Sequence, residues 1–138
     1  TSSSDAVYML DWYAYGIGKV PAKVATTYQN ISDAWSLLID QKWHDRITAI
    51  KANDGGLSYV EFFEYRKDKM SIPLFNIYCA TGSNREYYAE RTDLIQLGQT
   101  TQAIYFAKLT NEGEQSELAL TGDEIKARFS LVNQAWNN

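Results

Sequence analysis

Few residues in this chain could carry chemistry: one histidine, His44, one cysteine, Cys79, and several carboxylates in close pairs. His44 stands in SLLIDQKWHDRI (36–47), between Trp43 and Asp45-Arg46. A catalytic histidine needs a carboxylate to orient it or a nucleophile to activate. Asp45 is its chain neighbour, and adjacent side chains on an extended backbone point to opposite sides. Cys79 lies in the apolar run IPLFNIYCA (72–80), where a cysteine behaves as a small buried hydrophobe. His44 therefore reads as the exposed lead into a strand, and no catalytic residue is assigned.

The carboxylate pairs are Glu61 and Glu64, Glu86 and Glu90, Glu112 and Glu114, and Asp123 and Glu124. Glycoside hydrolysis needs two such groups facing one cleft, about 5–10 Å apart. Glu86 and Glu90 stand at helical i, i+4 spacing on a charged face, and Glu112 and Glu114 fall in a loop, so all the pairs read as solvated surface. GIGK (16–19) looks like the end of a phosphate loop, but Tyr13 stands where the first glycine belongs and Val20 where a hydroxyl should meet magnesium. NDGG (53–56) lacks the spaced acids of a calcium loop. With one histidine and one cysteine, neither a multi-histidine zinc site nor a CxxC pair can form within the chain. The sequence implies no metal and no cofactor.

What remains is aromatic. There are ten Tyr, four Trp and five Phe, and DWYAY, VEFFEY and REYYAE concentrate eight of them. Such side chains suit a sheet-on-helix core with hydroxyls at its rim, and equally a platform for carbohydrate or peptide. The candidate binding residues are Trp12, Tyr13, Tyr15, Trp43, Tyr87 and Tyr88.

Strands must position most of these residues. VYMLDWYAY (7–15) and KVPAKVATTY (19–28) read as a first pair, with Pro21 at a sheet edge. AWSLLI (34–39) and ITAIKA (47–52) are of strand length, and NDGG supplies the positive-φ residues of a hairpin into LSYVEFFEYR (57–66). That strand places Leu57, Tyr59, Glu61, Phe63 and Tyr65 on one face and Val60 and Phe62 on the other. IPLFNIYCA completes a three-strand meander expected at the centre of the sheet, and DLIQLG and AIYFAKL add a further hairpin. Ser83–Glu86 and Thr121–Glu124 both fit a capping box, predicting helices over 83–91 and 122–136. Ile125, Phe129, Val132 and Trp136 would form the apolar stripe of the second. The expected fold is α+β: an antiparallel sheet of five to seven strands packed by a short middle helix and a C-terminal helix.

At 138 residues with 45% apolar and 22% charged residues, the chain fits one globular domain, expected over 5–138. Thr1–Ser4 would be a disordered tether or a remnant of expression, of the kind that follows a removed export signal. A net charge of -4 leaves no basic face for phosphate, which excludes nucleic acid as a partner. No apolar run approaches the ~20 residues a transmembrane helix needs.

AWSLLIDQKWHDRITAI resembles a signature of small exported or lipid-anchored bacterial domains: an aromatic leads an alternating strand, a turn follows, then a Trp and a second strand. PLFNIYCATGSNREYYAER resembles their central strand running into a short helix, and LIQLGQTTQAIYFAKL their polar-turned hairpin. The wider set is the PsbP-like fold, an antiparallel sheet sandwiched by helices, and the similarity spans 34–136 with Asp40 in place of the proline common before the turn. The set has no single activity, so the resemblance implies fold and compartment rather than chemistry.

The expected role is thus a non-enzymatic extracytoplasmic domain, secreted or membrane-tethered, that binds a protein or a cell-envelope component or acts as an accessory to one. The alternatives are a cone-shaped ligand-binding or catalytic domain, as in the nuclear-transport-factor-like fold, and a cytoplasmic protein-interaction module. If His44 is an exposed lead-in, His44→Ala should change stability by under ~1 kcal/mol in denaturant unfolding. A strongly displaced histidine pKa in an NMR titration would contradict that reading.

Overall fold

The computed structural model describes residues 8–14, 22–39, 41–43, 46–66 and 71–132. Its elements are strands β1 (Tyr8–Ala14), β2 (Ala22–Asn30), β3 (Trp35–Ile39), β4 (Ile47–Asp54), β5 (Leu57–Glu64) and β6 (Ile72–Thr81), then helix α1 (Arg85–Ala89). Strands β7 (Ile95–Gln99) and β8 (Ala103–Leu109), helices α2 (Asn111–Glu114) and α3 (Gly122–Arg128), and strand β9 (Phe129–Leu131) complete the order. The class is α+β, and the strands form two antiparallel sheets, ordered β1-β2-β3-β9 and β4-β5-β6-β8-β7. The chain groups into two compact units, 1–41 with 128–138, and 42–127.

In the first unit β2 turns into β3 through Ile31–Ala34. The turn is closed by Asn30, buried at 2%, whose Oδ1 accepts from the Asp33 amide at 3.0 Å and from the Ser32 hydroxyl at 3.1 Å. Ala34 takes the left-handed conformation at φ 63°, a strain that this side-chain clasp and the ladder beyond it hold in place. Register aligns Tyr28, Leu37 and Phe129 in one row and Asn30, Trp35 and Leu131 in the next. Tyr28, Trp35 and Leu37 are each at most 1% exposed, and the Trp35 ring sits 5.3 Å from Tyr28 and 5.7 Å from Phe129. Burial of the Tyr28 hydroxyl, and secondarily the charge of Asp33, pushes its pKa well above the ordinary tyrosine value.

Two sheets stand where one was expected, and the stretch after β3 shows why. The chain makes a single 3₁₀ turn at Gln41–Trp43, and Trp43 is drawn into the core of the second unit at 1% exposure. Its indole N–H donates to the Leu118 carbonyl at 2.8 Å and its ring lies 5.7 Å from Phe75. Strand β4 therefore starts a new sheet instead of extending the first. His44 and Asp45, like the GIGK segment and Pro21, lie outside the described residues.

In the second unit the β4–β5 hairpin turns at Gly55-Gly56, with Gly55 at φ 64°, as NDGG implies. The meander forms, but β6 is the central strand because β8 pairs along its other edge. Strand β5 alternates strictly: Ser58, Val60, Phe62 and Glu64 are buried, while Leu57, Tyr59, Glu61 and Phe63 are half-buried. The inner face gathers Val60, Phe62, Phe75, Ile77 and Trp43, with the Phe62 and Phe75 rings stacked at 4.8 Å. Cys79, the one cysteine, is sealed on this face at 4% exposure.

The helices are shorter than their sequence signals. Thr121 and Glu124 make the expected reciprocal box, Glu124 accepting from the Thr121 amide at 2.9 Å and donating its own to the Thr121 hydroxyl at 3.1 Å. Yet α3 stops at Arg128, and Phe129–Leu131 become β9, paired with β3. The aromatic and apolar residues that would have continued a helical stripe instead complete a ladder and meet Trp35. Trp136 lies outside the described residues. Helix α1 has Asn84 as its N-cap with no side-chain cap bond, so the Ser83 box does not form. Glu112 and Glu114 lie in α2, not a loop. Thr110 caps that helix, its hydroxyl accepting from the Gly113 amide at 2.8 Å and donating toward the Pro73 carbonyl at 2.6 Å.

Two substitutions test this packing. A Cβ at Gly113 would lie 2.4 Å from the Leu74 carbonyl oxygen, a contact with β6 backbone that cannot swing aside. Gly113→Ala should destabilise by about 1–3 kcal/mol in chemical denaturation despite the better helix propensity of alanine. Trp43→Phe keeps a ring in the core but strands the Leu118 carbonyl, and should cost about 1–3 kcal/mol. A neutral effect there would show that the indole hydrogen bond does not hold the segment.

Candidate functional site

The outer face of the five-stranded sheet carries a second set of aromatic side chains, half-buried at Tyr59, Tyr78 and Tyr88 and buried at Phe106. Pairing registers set Ala52, Tyr59, Tyr78, Phe106 and Gln96 in one row across β4, β5, β6, β8 and β7. Neighbouring strands lie roughly 4.8 Å apart, and the rings follow that spacing. Tyr59 and Tyr78 have centroids 5.1 Å apart, and Tyr78 stacks on Phe106 at 5.1 Å with planes 14° apart. Tyr88, brought over the sheet by α1, stacks on Phe106 at 5.5 Å. Beneath the helix, Ala80, Ile104 and Phe106 form a small apolar cluster, joined by Leu57, Tyr78, Tyr88 and Leu94.

Tyr78, Phe106 and Tyr88 spend ring faces on one another, and Phe106 is itself buried at 3% exposure. Tyr87 is the exception. Its plane stands at 78° to Tyr88, and it is 64% exposed on a helix that buries none of its residues. A planar or apolar group could lie on this ring without displacing any packing contact.

In the next row on this face Ile50 is followed by polar residues, Glu61, Asn76 and Lys108. Asn76 donates from Nδ2 to the Tyr78 hydroxyl at 3.0 Å, while its buried Oδ1 meets no hydrogen-bond partner among the described residues. Beyond Lys108, Asp93 is paired with Arg91, whose Nε donates to it at 2.9 Å, and it lies 3.9 Å from the Lys108 ammonium. The Arg91 hydrogen bond holds the Asp93 carboxyl below the usual range, with lesser lowering from the Arg91 and Lys108 charges. Ile50, 52% exposed, stands at the β4 end of this row.

Of the six aromatic candidates, the structure brings Tyr87 and Tyr88 together on this surface. Trp43 is committed to the opposite face of the sheet, where it is core. Trp12 and Tyr13 lie on β1 in the first unit, described there by backbone alone, and Tyr15 lies outside the described residues. Sequence reasoning did not single out Tyr59, Tyr78 or Phe106. Alternation places each on a strand face, but the row exists only through pairing, and the β5–β6 register slips by one residue at Leu74.

A second cluster overturns one expectation. Glu64 is not solvated: at 4% exposure it accepts from the Ser116 hydroxyl at 2.6 Å and from Arg66 Nε at 3.1 Å, with Arg46 at 3.8 Å. The Ser116 hydrogen bond lowers its pKa from the usual value; burial opposes this, and Arg66 and Arg46 reinforce it. Arg46 also binds Glu117, and Ser116 Oγ accepts from the Leu118 amide at 3.0 Å. The carboxylate therefore fastens the strand end to the segment after α2, and its acceptor sites are engaged. Of the other paired acids, Glu61 is half-buried, and Glu86, Glu90, Glu112, Glu114, Asp123 and Glu124 are exposed. Among the described residues no three His, Cys, Asp or Glu side chains are grouped to hold a metal ion, and no helix is long and apolar enough to cross a membrane.

Because the folded-state carboxyl of Glu64 has a depressed pKa, its stabilisation is present above the unfolded value of about 4.3 and is lost as pH falls through the folded one. Glu64→Gln should therefore cost about 1–3 kcal/mol at pH 7, with the difference shrinking once the pH is below about 4. Urea unfolding of both proteins at several pH values checks this. An equal difference throughout would mean that the charge is not what holds the segment.

No family model matches this chain, and neither a curated protein nor a solved structure matches it.

Proposed function

We propose that this protein is a non-enzymatic binding or accessory domain working outside the cytoplasm, and that it engages a protein or cell-envelope component through the tyrosine-edged face of its five-stranded sheet. The observation that carries this reading is Tyr87: a large ring, 64% exposed, standing at 78° to Tyr88, which itself stacks on Phe106 of the sheet. Aromatic anchors ringed by polar groups are where binding energy concentrates at recognition surfaces. The single cysteine is sealed in the core, so an oxidising compartment offers its thiol no route to reaction.

The buried carboxylate supports the non-enzymatic reading. A catalytic acid or base must reach substrate, whereas Glu64 is already bonded to Ser116 and Arg66. A cone-shaped catalytic domain would instead place an ionisable group free inside a deep pocket.

Isotope-labelled protein titrated with soluble cell-envelope oligosaccharides and with extended peptides tests the assignment. Shift changes should gather at Tyr87, Tyr88, Tyr78, Tyr59 and Ile50. Tyr87→Ala should weaken the binding at least tenfold, about 1.4 kcal/mol or more, while changing stability by no more than about 0.5 kcal/mol, as an exposed substitution does. Perturbations centred elsewhere, or full affinity in the variant, would remove this face from consideration. Fractionation of cells making the full-length protein tests the compartment independently.

A further inference from the structure

We draw no further inference here: the strongest candidate, the bulge-free outer edge of β4 beside exposed Ile50, could accept an added strand, but nothing in the structure shows what covers it.

Discussion

The second unit depends on the way one short segment, Ser116–Ala119, is held. Lys42 reaches the Ala119 carbonyl at 3.2 Å, Trp43 the Leu118 carbonyl at 2.8 Å, Arg46 the Glu117 carboxylate, and Glu64 the Ser116 hydroxyl at 2.6 Å. Three of these partners stand on the run leading into β4 and the fourth at the end of β5, so residues more than fifty positions apart converge on four consecutive ones. The two bonds that matter most energetically are the shielded ones. Trp43 and Leu118 are each 1% exposed, and Glu64 4%, and a polar group left alone at such a site costs far more than an exposed ion pair contributes. The Lys42 and Arg46 contacts are exposed or half-exposed and add alignment more than stability.

This clasp also determines what the sheet can present. Its inner face is taken up by Trp43, Phe62, Phe75 and Ile77, close-packed around the Phe75 ring. On the proposed reading recognition falls to the outer face, where Tyr59, Tyr78 and Phe106 stand at the spacing of the strands. Tyr78, Phe106 and Tyr88 are stacked face to face, whereas Tyr87 stands edge-on to Tyr88 and is 64% exposed. Side chains already held by packing suit that proposed role because little side-chain freedom is lost on contact.

Much of the fold was legible because its signals are local. Hairpin chemistry at Asp54-Gly55-Gly56, the alternation of LSYVEFFE and the box at Thr121 and Glu124 each depend on residues within one turn or one strand, and each formed. The clearest failure of a local signal is the closing helix. Ile125, Phe129 and Val132 have helical spacing, yet Phe129–Leu131 also suit a strand, and a free edge on β3 together with the Trp35 ring settled the competition. Glu64 failed for a related reason: nothing in VEFFEYR shows that a serine 52 positions later will donate to its carboxylate.

By itself, then, the sequence determined strands β1 to β8, the turn between β4 and β5, and the presence of Tyr87 and Tyr88 on a short helix. Only the tertiary structure decided that the strands divide into two sheets, that Trp43 is core and not platform, and that Tyr59, Tyr78 and Phe106 form a row continuous with Tyr88. The physical reason is the range of the forces concerned. Turn geometry, capping and alternation act between residues a few positions apart, whereas strand register and burial of a side chain depend on partners that the chain brings together only after it has folded.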